Sequence, residues 1–257
     1  MKTLAIDTSS KNASVAILED LNTLIELNNE DEKTHSQKLM PMIDEAFQKM
    51  NLSLDDIGLI SCSLGPGSFT GVRIGIATAK AFVDSRNIPA VGVSSLEGLA
   101  YNMNREGYFC SLVNANHGNV YAGFFHIVKN ETANYFQTVE SDFAFLNLED
   151  TSGNFSDKAL LTFLQDNKKI KLGDFPIHFV GDASITYESL LENLSFENGN
   201  SIILAAPKQC QISSISIAKA GYAKYKNGEY GNSSILSPIY LRKSQAELSL
   251  EKENNAL

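Results

Sequence analysis

Cysteine, basic side chains and long apolar runs are all scarce in this 257-residue sequence. Its three cysteines, Cys62, Cys110 and Cys210, form no C-x-x-C pair, which argues against a disulfide framework or a zinc ribbon. Lysine and arginine number 21 against 30 acidic residues, and the net charge of −9 makes the chain by itself a poor binder of nucleic acid. No apolar run reaches the roughly 18 residues of a membrane helix, and the first residues lack the pattern of a signal peptide. We therefore expect a cytoplasmic protein that does not enter a membrane.

The segment at 62–76, CSLGPGSFTGVRIGI, carries the strongest local pattern. A Gly-Pro-Gly turn follows apolar residues, and Ser68 and Thr70 come next as candidate caps of a helix. A strand, a glycine-rich turn and a helix in this order can hold an anion at the helix N-terminus. The same glycines can instead let the helix pack closely on a strand or on another helix, and the residues leave both interpretations open. The segment is not a Walker A loop, because no Gly-Lys-Ser/Thr follows the turn.

Hydrophobic periodicity predicts an α/β protein with two similar halves, 1–107 and 108–257. In the first half we expect strands at 2–6, 13–18, 21–27, 57–64 and 88–93, and helices at 34–50, 69–86 and 94–103, the first kinked or restarted at Pro41. In the second half we expect strands at 108–113, 120–128, 135–139, 177–180 and 202–204, and helices at 156–166, 184–194 and 213–227. The last of these helices can pack back on the first half. Each half opens with a strand, a polar turn and a strand, so a cleft between the two polar turns would suit a nucleotide.

Several segments together resemble the TsaB family, bacterial subunits of threonylcarbamoyladenosine biosynthesis once grouped with glycoprotease-like proteins. They are LAIDTS at 4–9, HSQ-x-L-x-P-x-I at 35–43 and GPGSFTGVRIG at 65–75, with VGDA at 180–183 and P-x-YLR at 238–242 as weaker matches. The GPGSFTG string is far more specific than a single glycine motif. The resemblance extends from residue 3 to about residue 242 and is strongest in the first hundred residues.

This resemblance implies a duplicated actin/hexokinase-like, or ribonuclease H-like, fold with two lobes, each a mixed sheet with helices. It also implies work in a cytoplasmic complex with TsaD and TsaE. That complex transfers threonylcarbamoyl to the adenosine next to the anticodon of tRNA. In the family TsaD carries the metal and the transfer chemistry, and TsaE is an ATPase. We therefore expect a non-catalytic, activating subunit that has no transfer activity alone and meets tRNA only through the complex.

Neither a metal nor a catalytic residue is predicted. The histidines, His35, His117, His126 and His178, lack the i, i+4 spacing of the two metal ligands in TsaD-like proteins. Proteolysis is not expected either, because Ser36 adjoins His35 on a helix, where neighbours do not face each other, and no Gly-x-Ser-x-Gly elbow is present.

The alternative function is an independent, ATPase-type enzyme that binds nucleotide in the interlobe cleft. The residues predicted for it are Asp7, Thr8, Ser9, Gly181 and Asp182. Ser9 stands where actin-like enzymes have glycine, and Asn114 and Asn116 stand where the second half would need a carboxylate for Mg²⁺. Any ATP or ADP binding is therefore expected to be weak or vestigial. Asp7 can equally be a carboxylate that stabilises its own turn through backbone N–H groups.

The two helices of the first half are the predicted interaction surface. Gly71, Gly75 and Ala79 form a bare stripe on the helix at 69–86, and a bare stripe lets another helix approach closely. The resemblance implies that one surface serves both a homodimer and the contact with TsaD. The predicted interface residues are His35, Met42, Phe69, Thr70, Gly71, Arg73, Gly75, Thr78, Ala79 and Phe82. The stripe could instead pack on the protein's own sheet, and the sequence does not decide between the two.

Overall fold

Ten strands and seven α-helices make up the part of the chain that this computed structural model describes, residues 1–29, 35–148, 156–165, 176–194 and 201–242. The first sheet contains β1 (Lys2–Asp7), β2 (Ala13–Glu19), β3 (Asn22–Asn29), β4 (Ile57–Ser63) and β5 (Ala90–Val93). Their order across the sheet is β3-β2-β1-β4-β5. The first three strands form an antiparallel meander, and β4 and β5 add in parallel beside β1.

The second sheet repeats this arrangement. It contains β6 (Gly107–Asn114), β7 (Asn119–Asn130), β8 (Tyr135–Asn147), β9 (Ile177–Val180) and β10 (Ile202–Leu204). Their order is β10-β9-β6-β7-β8, again an antiparallel meander with two parallel strands on the other side of its first strand. The two halves predicted from the sequence are therefore duplicates in topology.

The helices and sheets alternate in five layers. The helices are α1 (His35–Met50), α2 (Phe69–Arg86), α3 (Ser95–Tyr101), α4 (Lys158–Gln165), α5 (Asp182–Thr186), α6 (Glu188–Glu192) and α7 (Ser214–Lys226). Helices α1 and α2 cover the outer face of the first sheet, α3 and α7 lie between the sheets, and α4 to α6 cover the outer face of the second. Both faces of β1 are consequently buried: Leu4 and Ile6 face α1 and α2, and Ala5 faces the core between the sheets.

Helix α7 comes from the second half of the chain but packs on the first sheet. The Ser214 hydroxyl donates to the backbone oxygen of Ser14 at 2.7 Å, and the Ser61 hydroxyl donates to the backbone oxygen of Ile217 at 2.8 Å. A Cβ on Gly221 would overlap the Ser61 side chain, so glycine is required at this helix–sheet contact. Helix α7 therefore ties the two halves together.

Helix α1 continues through Pro41 without the restart predicted as the alternative to a kink; the carbonyl that loses its partner belongs to the exposed Gln37 and can bond to water. The structure departs from the predicted elements in two places. The helix predicted at 184–194 is two short helices that meet at Tyr187, and β8 extends to Asn147 rather than ending at 139.

All three cysteines are free and buried, and burial raises the pKa of the Cys62 and Cys110 thiols.

Candidate functional site

The polar turn after β1 is organised by Asp7, whose side chain is fully buried. Its Oδ1 accepts hydrogen bonds from the Ser9 hydroxyl at 2.6 Å and from the Ser9 backbone N–H at 3.2 Å. Burial raises the pKa of this carboxyl above its ordinary value, and the bonds from Ser9 only partly oppose the effect. Within the described residues Oδ2 has no hydrogen-bond partner. Asp7 thus stabilises its own turn and does not present a carboxylate to the cleft.

The glycine-rich turn and the start of α2 pack against this first turn. The Ser68 N–H donates to the backbone oxygen of Ser9 at 2.7 Å, and the Thr8 hydroxyl donates to the backbone oxygen of Gly71 at 2.6 Å. A Cβ on Gly67 would overlap the Ser9 carbonyl, and one on Gly71 would overlap the Thr8 carbonyl. The glycines therefore permit a close approach of backbone to backbone. Of the two interpretations that the sequence left open, close packing is the one that the contacts favour.

The bare stripe of α2 faces the first sheet, which corrects the sequence analysis for its members. A Cβ on Gly75 would overlap the Thr8 hydroxyl, and Ala79 is fully buried. On α1, His35 and Met42 are also buried, and the His35 Nε2 lies 3.0 Å from the backbone oxygen of Ser10. These buried side chains build the lobe and are not available to a partner. The predicted interface residues that remain at the surface of the helix pair are Phe69, Thr70, Arg73, Thr78 and Phe82.

An aromatic cluster at the start of α2 was not predicted. The Phe69 ring stacks on the Tyr240 ring with centroids 4.8 Å apart, and the Arg73 Nε donates to the Tyr240 hydroxyl at 2.8 Å. The chain arrives there because the Ile239 N–H donates to the backbone oxygen of Leu64 at 2.8 Å. The P-x-YLR motif at 238–242 was the available signal, but its sequence does not say that it reaches α2.

The interlobe cleft lies between the first turns of the two sheets and has a volume of about 410 Å³. Its charged lining residues are Lys11, Asp182 and Arg242. The Asp182 Oδ1 accepts the Asn114 N–H at 2.9 Å, and the Asn114 Oδ1 accepts the Asn116 N–H at 2.8 Å. The polar groups of the second turn are therefore partly engaged with one another.

Of the residues predicted to contact a nucleotide, Ser9 and Asp182 line the cleft. Asp7 and Thr8 are buried behind it, and Gly181 packs against the backbone of Leu112 with φ at +113°, where a side chain would be strained. Lys11 and Arg242 were missed. Arg242 comes from the last described segment, with its guanidinium 5.6 Å from the centre of the Phe145 ring, and a pattern of local periodicity cannot bring it to this cleft.

The histidines occupy separate surroundings. His178 is buried and stacks on Phe109 at 5.4 Å, His126 stacks on Tyr108 at 4.5 Å, and His117 is exposed in the turn before β7. Over the described ranges, no group of three or more His, Cys, Asp or Glu side chains could hold a metal ion. No helix in those ranges is both long enough and apolar enough to cross a membrane.

Two mixed five-stranded sheets with one shared strand order, and a cleft between their first turns, define a duplicated protein of the actin/hexokinase-like class. The family described as "TsaD: tRNA N6-adenosine threonylcarbamoyltransferase" matches residues 28–250, so the chain belongs to that family.

Curated relatives and a solved structure agree with this assignment. The chain is 36% identical over 126 residues to the "tRNA threonylcarbamoyladenosine biosynthesis protein TsaB" of Bacillus subtilis, covering 49% of this chain and 55% of the relative. The protein of the same name in Escherichia coli is 36% identical over 126 residues, covering 47% and 53%. The chain thus spans about half the length of the curated relatives it matches. YeaZ from Pseudomonas aeruginosa, at 21% identity, superposes with a TM-score of 0.71 over 93% of this chain and 99% of that one, which shows the shared fold.

Proposed function

We propose that this chain is a non-catalytic, activating subunit of the cytoplasmic complex that transfers threonylcarbamoyl to the adenosine next to the anticodon of tRNA. In this complex it works with TsaD and TsaE. The observation that carries the proposal is the similarity to TsaB proteins on a matching fold, with 36% identity over 126 residues to relatives whose names state this biosynthesis.

The geometry of the first turn supports a non-catalytic role. The buried Asp7 carboxyl is held by Ser9, and the Thr8–Ser9 backbone fills the space beside the glycine-rich turn. In an ATPase of this class a first-turn carboxylate and a glycine would instead serve the phosphates and their Mg²⁺. Here the corresponding groups stabilise the lobe.

The surface proposed to contact TsaD is the outward side of α1 and α2 together with the aromatic cluster. Met40 on α1 is 44% exposed and Tyr240 is 44% exposed, large apolar side chains at the surface of the same lobe as Arg73. Methionine and aromatic side chains adapt well to a partner surface. We propose that this surface also forms the homodimer, so that the homodimer and the TsaD complex compete.

The test is reconstitution of tRNA threonylcarbamoylation from purified components, with this chain present or omitted. Loss of modification on omission, together with no modification by the chain alone, is the expected result. Equal modification with and without the chain would overturn the proposal.

Nucleotide binding in the interlobe cleft is the second candidate function. The observation that favours it is that Lys11 and Arg242 both line a cleft of about 410 Å³, large enough for a nucleotide. Two cations can neutralise phosphate oxygens without a metal-binding carboxylate. Calorimetric titration of the full chain with ATP and with ADP, with and without Mg²⁺, tests it directly.

A further inference from the structure

Two hollows beside α7 adjoin at Lys219 and together make one groove. Each has a volume of about 300 Å³, and both are lined by Tyr101 and Lys219. The first hollow lies near Leu21, in the β2–β3 turn, and Asn104, just before β6 begins, whereas the second extends to Ser213 at the start of α7. No residue that lines either hollow also lines the interlobe cleft.

Three lysines line this groove, Lys129, Lys208 and Lys219, and we call it the lysine groove. The acidic residue in its lining is Glu26, whose Oε1 accepts the Ser213 hydroxyl at 2.6 Å and the Ile215 N–H at 3.4 Å. Beside the groove, Glu131 lies 3.8 Å from the Lys129 ammonium, with both side chains exposed. An exposed pair of this kind is weak, so the groove keeps an excess of positive charge in a chain whose net charge is −9.

Lys219 has the most informative surroundings of the three. It is half-buried on α7, and its Nζ donates to the Asn104 Oδ1 at 2.9 Å. Among the described residues no carboxylate lies within ion-pair distance of this ammonium, and burial lowers its pKa. Lys224 on the same helix does have carboxylate partners, since its Nζ lies 3.4 Å from the Glu97 Oε2 and 3.6 Å from the Glu229 Oε2. A partly desolvated ammonium with only an amide acceptor gains stability when an anion enters the groove.

We propose that the lysine groove binds the phosphodiester backbone of RNA, with Lys219 at its centre and Lys129 and Lys208 in the two hollows. The inference rests on the proposed function, in which the substrate is a tRNA, and it replaces the expectation that the chain meets tRNA only through the complex. Several separate ammonium groups along one groove match the repeated phosphates of a nucleic acid strand better than a single small anion. Three lysines supply modest affinity, which suits a subunit that holds part of an RNA while another subunit carries the chemistry.

The test uses the full chain and a fluorescently labelled tRNA transcript. Binding is followed by fluorescence anisotropy from about 25 to about 200 mM KCl, a range over which affinity through phosphate contacts falls with salt. The variants are Lys219→Gln, Lys219→Arg and the triple Lys129→Gln/Lys208→Gln/Lys219→Gln. Lys158→Gln is the matched control, because Lys158 is exposed on α4 and lines neither hollow. Thermal unfolding establishes that each variant is folded.

For the wild type we expect a plot of log K against log salt with a slope between about −2 and about −3, as three phosphate contacts predict. Lys219→Gln should make the slope about 0.7 to 0.9 less steep, the triple variant should lose about tenfold or more in affinity, and Lys219→Arg and Lys158→Gln should bind as the wild type does. Affinity that is equal in the triple variant and the wild type, or no binding at the lowest salt, would overturn the proposal. Binding of polyglutamate to the groove, with no binding of tRNA, would overturn it in favour of an acidic protein.

Failure of this inference is distinguishable from failure of the proposed function. If omission of the chain abolishes tRNA modification while the triple variant supports it at wild-type rate and KM for tRNA, the lysine groove is excluded and the proposed function stands. If omission has no effect, the proposed function itself fails, whatever the affinity of the groove.

Discussion

The hydroxyl of Thr8 donates a hydrogen bond of 2.6 Å to the backbone oxygen of Gly71, which joins the first turn of the chain to the first turn of α2. The contact is possible because Gly71 has no Cβ, and a Cβ at that position would overlap the Thr8 carbonyl. The most distinctive motif in the sequence, the glycine-rich turn and the helix after it, is thereby explained in part by a contact inside one lobe.

Gly71→Ala should destabilise the protein. Its added methyl meets backbone rather than the end of a flexible side chain, so we expect the free energy of unfolding to fall by about 1–3 kcal/mol. Urea denaturation measures this. Ala77→Leu, exposed on the same helix, is the control and should change the value by no more than about 0.5 kcal/mol. A gain in stability from Gly71→Ala, as for a helical glycine in open space, would contradict the packing described here.

Asp7→Asn should change how stability depends on pH. Burial raises the folded-state pKa of Asp7 above its unfolded value, so between these two values the unfolded state is the more ionised. The stability that Asp7 contributes at low pH is therefore lost as the pH rises from its unfolded-state pKa through its folded-state pKa. We expect the stability of the variant relative to the wild type to increase with pH from about pH 4 upward.

Urea denaturation from about pH 4 to about pH 8 provides the measurement, over the range in which a buried carboxyl titrates. The control is Asp44→Asn, a change at an exposed carboxylate on α1. A difference between Asp7→Asn and the wild type that stays constant over this range would show that Asp7 does not titrate there.

Arg73→Glu should weaken association with TsaD without unfolding the chain. Arg73 is exposed and lies beside Phe69 and Tyr240, so reversal of its charge alters the proposed contact surface and leaves the core intact. We expect affinity to fall about tenfold or more, as for a central interface contact. Surface plasmon resonance measures it, with Arg86→Glu at the other end of α2 as the control. Equal losses in the two variants would indicate a general effect of charge.

Addition of TsaD should dissociate a homodimer of this chain. The two assemblies are proposed to use the same outward side of α1 and α2, so they cannot form together. Light scattering coupled to size-exclusion chromatography should show one copy of this chain for each TsaD bound at that surface. A complex that retains the homodimer contact, detected by a cross-link between two copies through position 40, would exclude shared use of the surface.

Arg242→Ala and Lys11→Ala should each reduce ATP and ADP affinity if the cleft binds nucleotide. Each residue supplies a cation to the cleft, and loss of one charge-assisted contact costs about 1.5–3 kcal/mol, or roughly tenfold to more than a hundredfold in affinity. Calorimetric titration measures this, and Lys158→Ala on α4 is the control. Asp7→Ala is a poor probe of the cleft, because Asp7 is buried in the turn and its loss acts through stability.

Local sequence patterns determined the elements and their order. The helix predicted at 69–86 is α2 at the same bounds, and the three opening strands lie within a few residues of their predicted positions. Periodicity suffices there because each element buries a face whose spacing, 3.6 or 2.0 residues, is written along the chain. The duplicated two-lobe class could be inferred for the same reason, since each half repeats a strand, a polar turn and a strand. The resemblance to TsaB proteins that the motifs at 4–9, 35–43 and 65–75 indicated agrees with the curated relatives of that name.

Only the tertiary structure decided which way these faces point and which distant residues meet. The bare stripe of α2 could have met a partner or the protein's own sheet, and it faces the sheet: a Cβ on Gly75 would overlap the Thr8 hydroxyl just after β1, and Ala79 is buried. Tyr240 stacks on Phe69, and Arg242 lines the cleft. Both residues are far in sequence from the groups they meet, so no local periodicity predicts these positions. Lys129, Lys208 and Lys219 are far apart in an acidic sequence without a basic run, yet one groove collects them. Charged and packed side chains interact through space. A pattern along the chain therefore predicts such contacts only where residues that are neighbours in sequence are also neighbours in the fold.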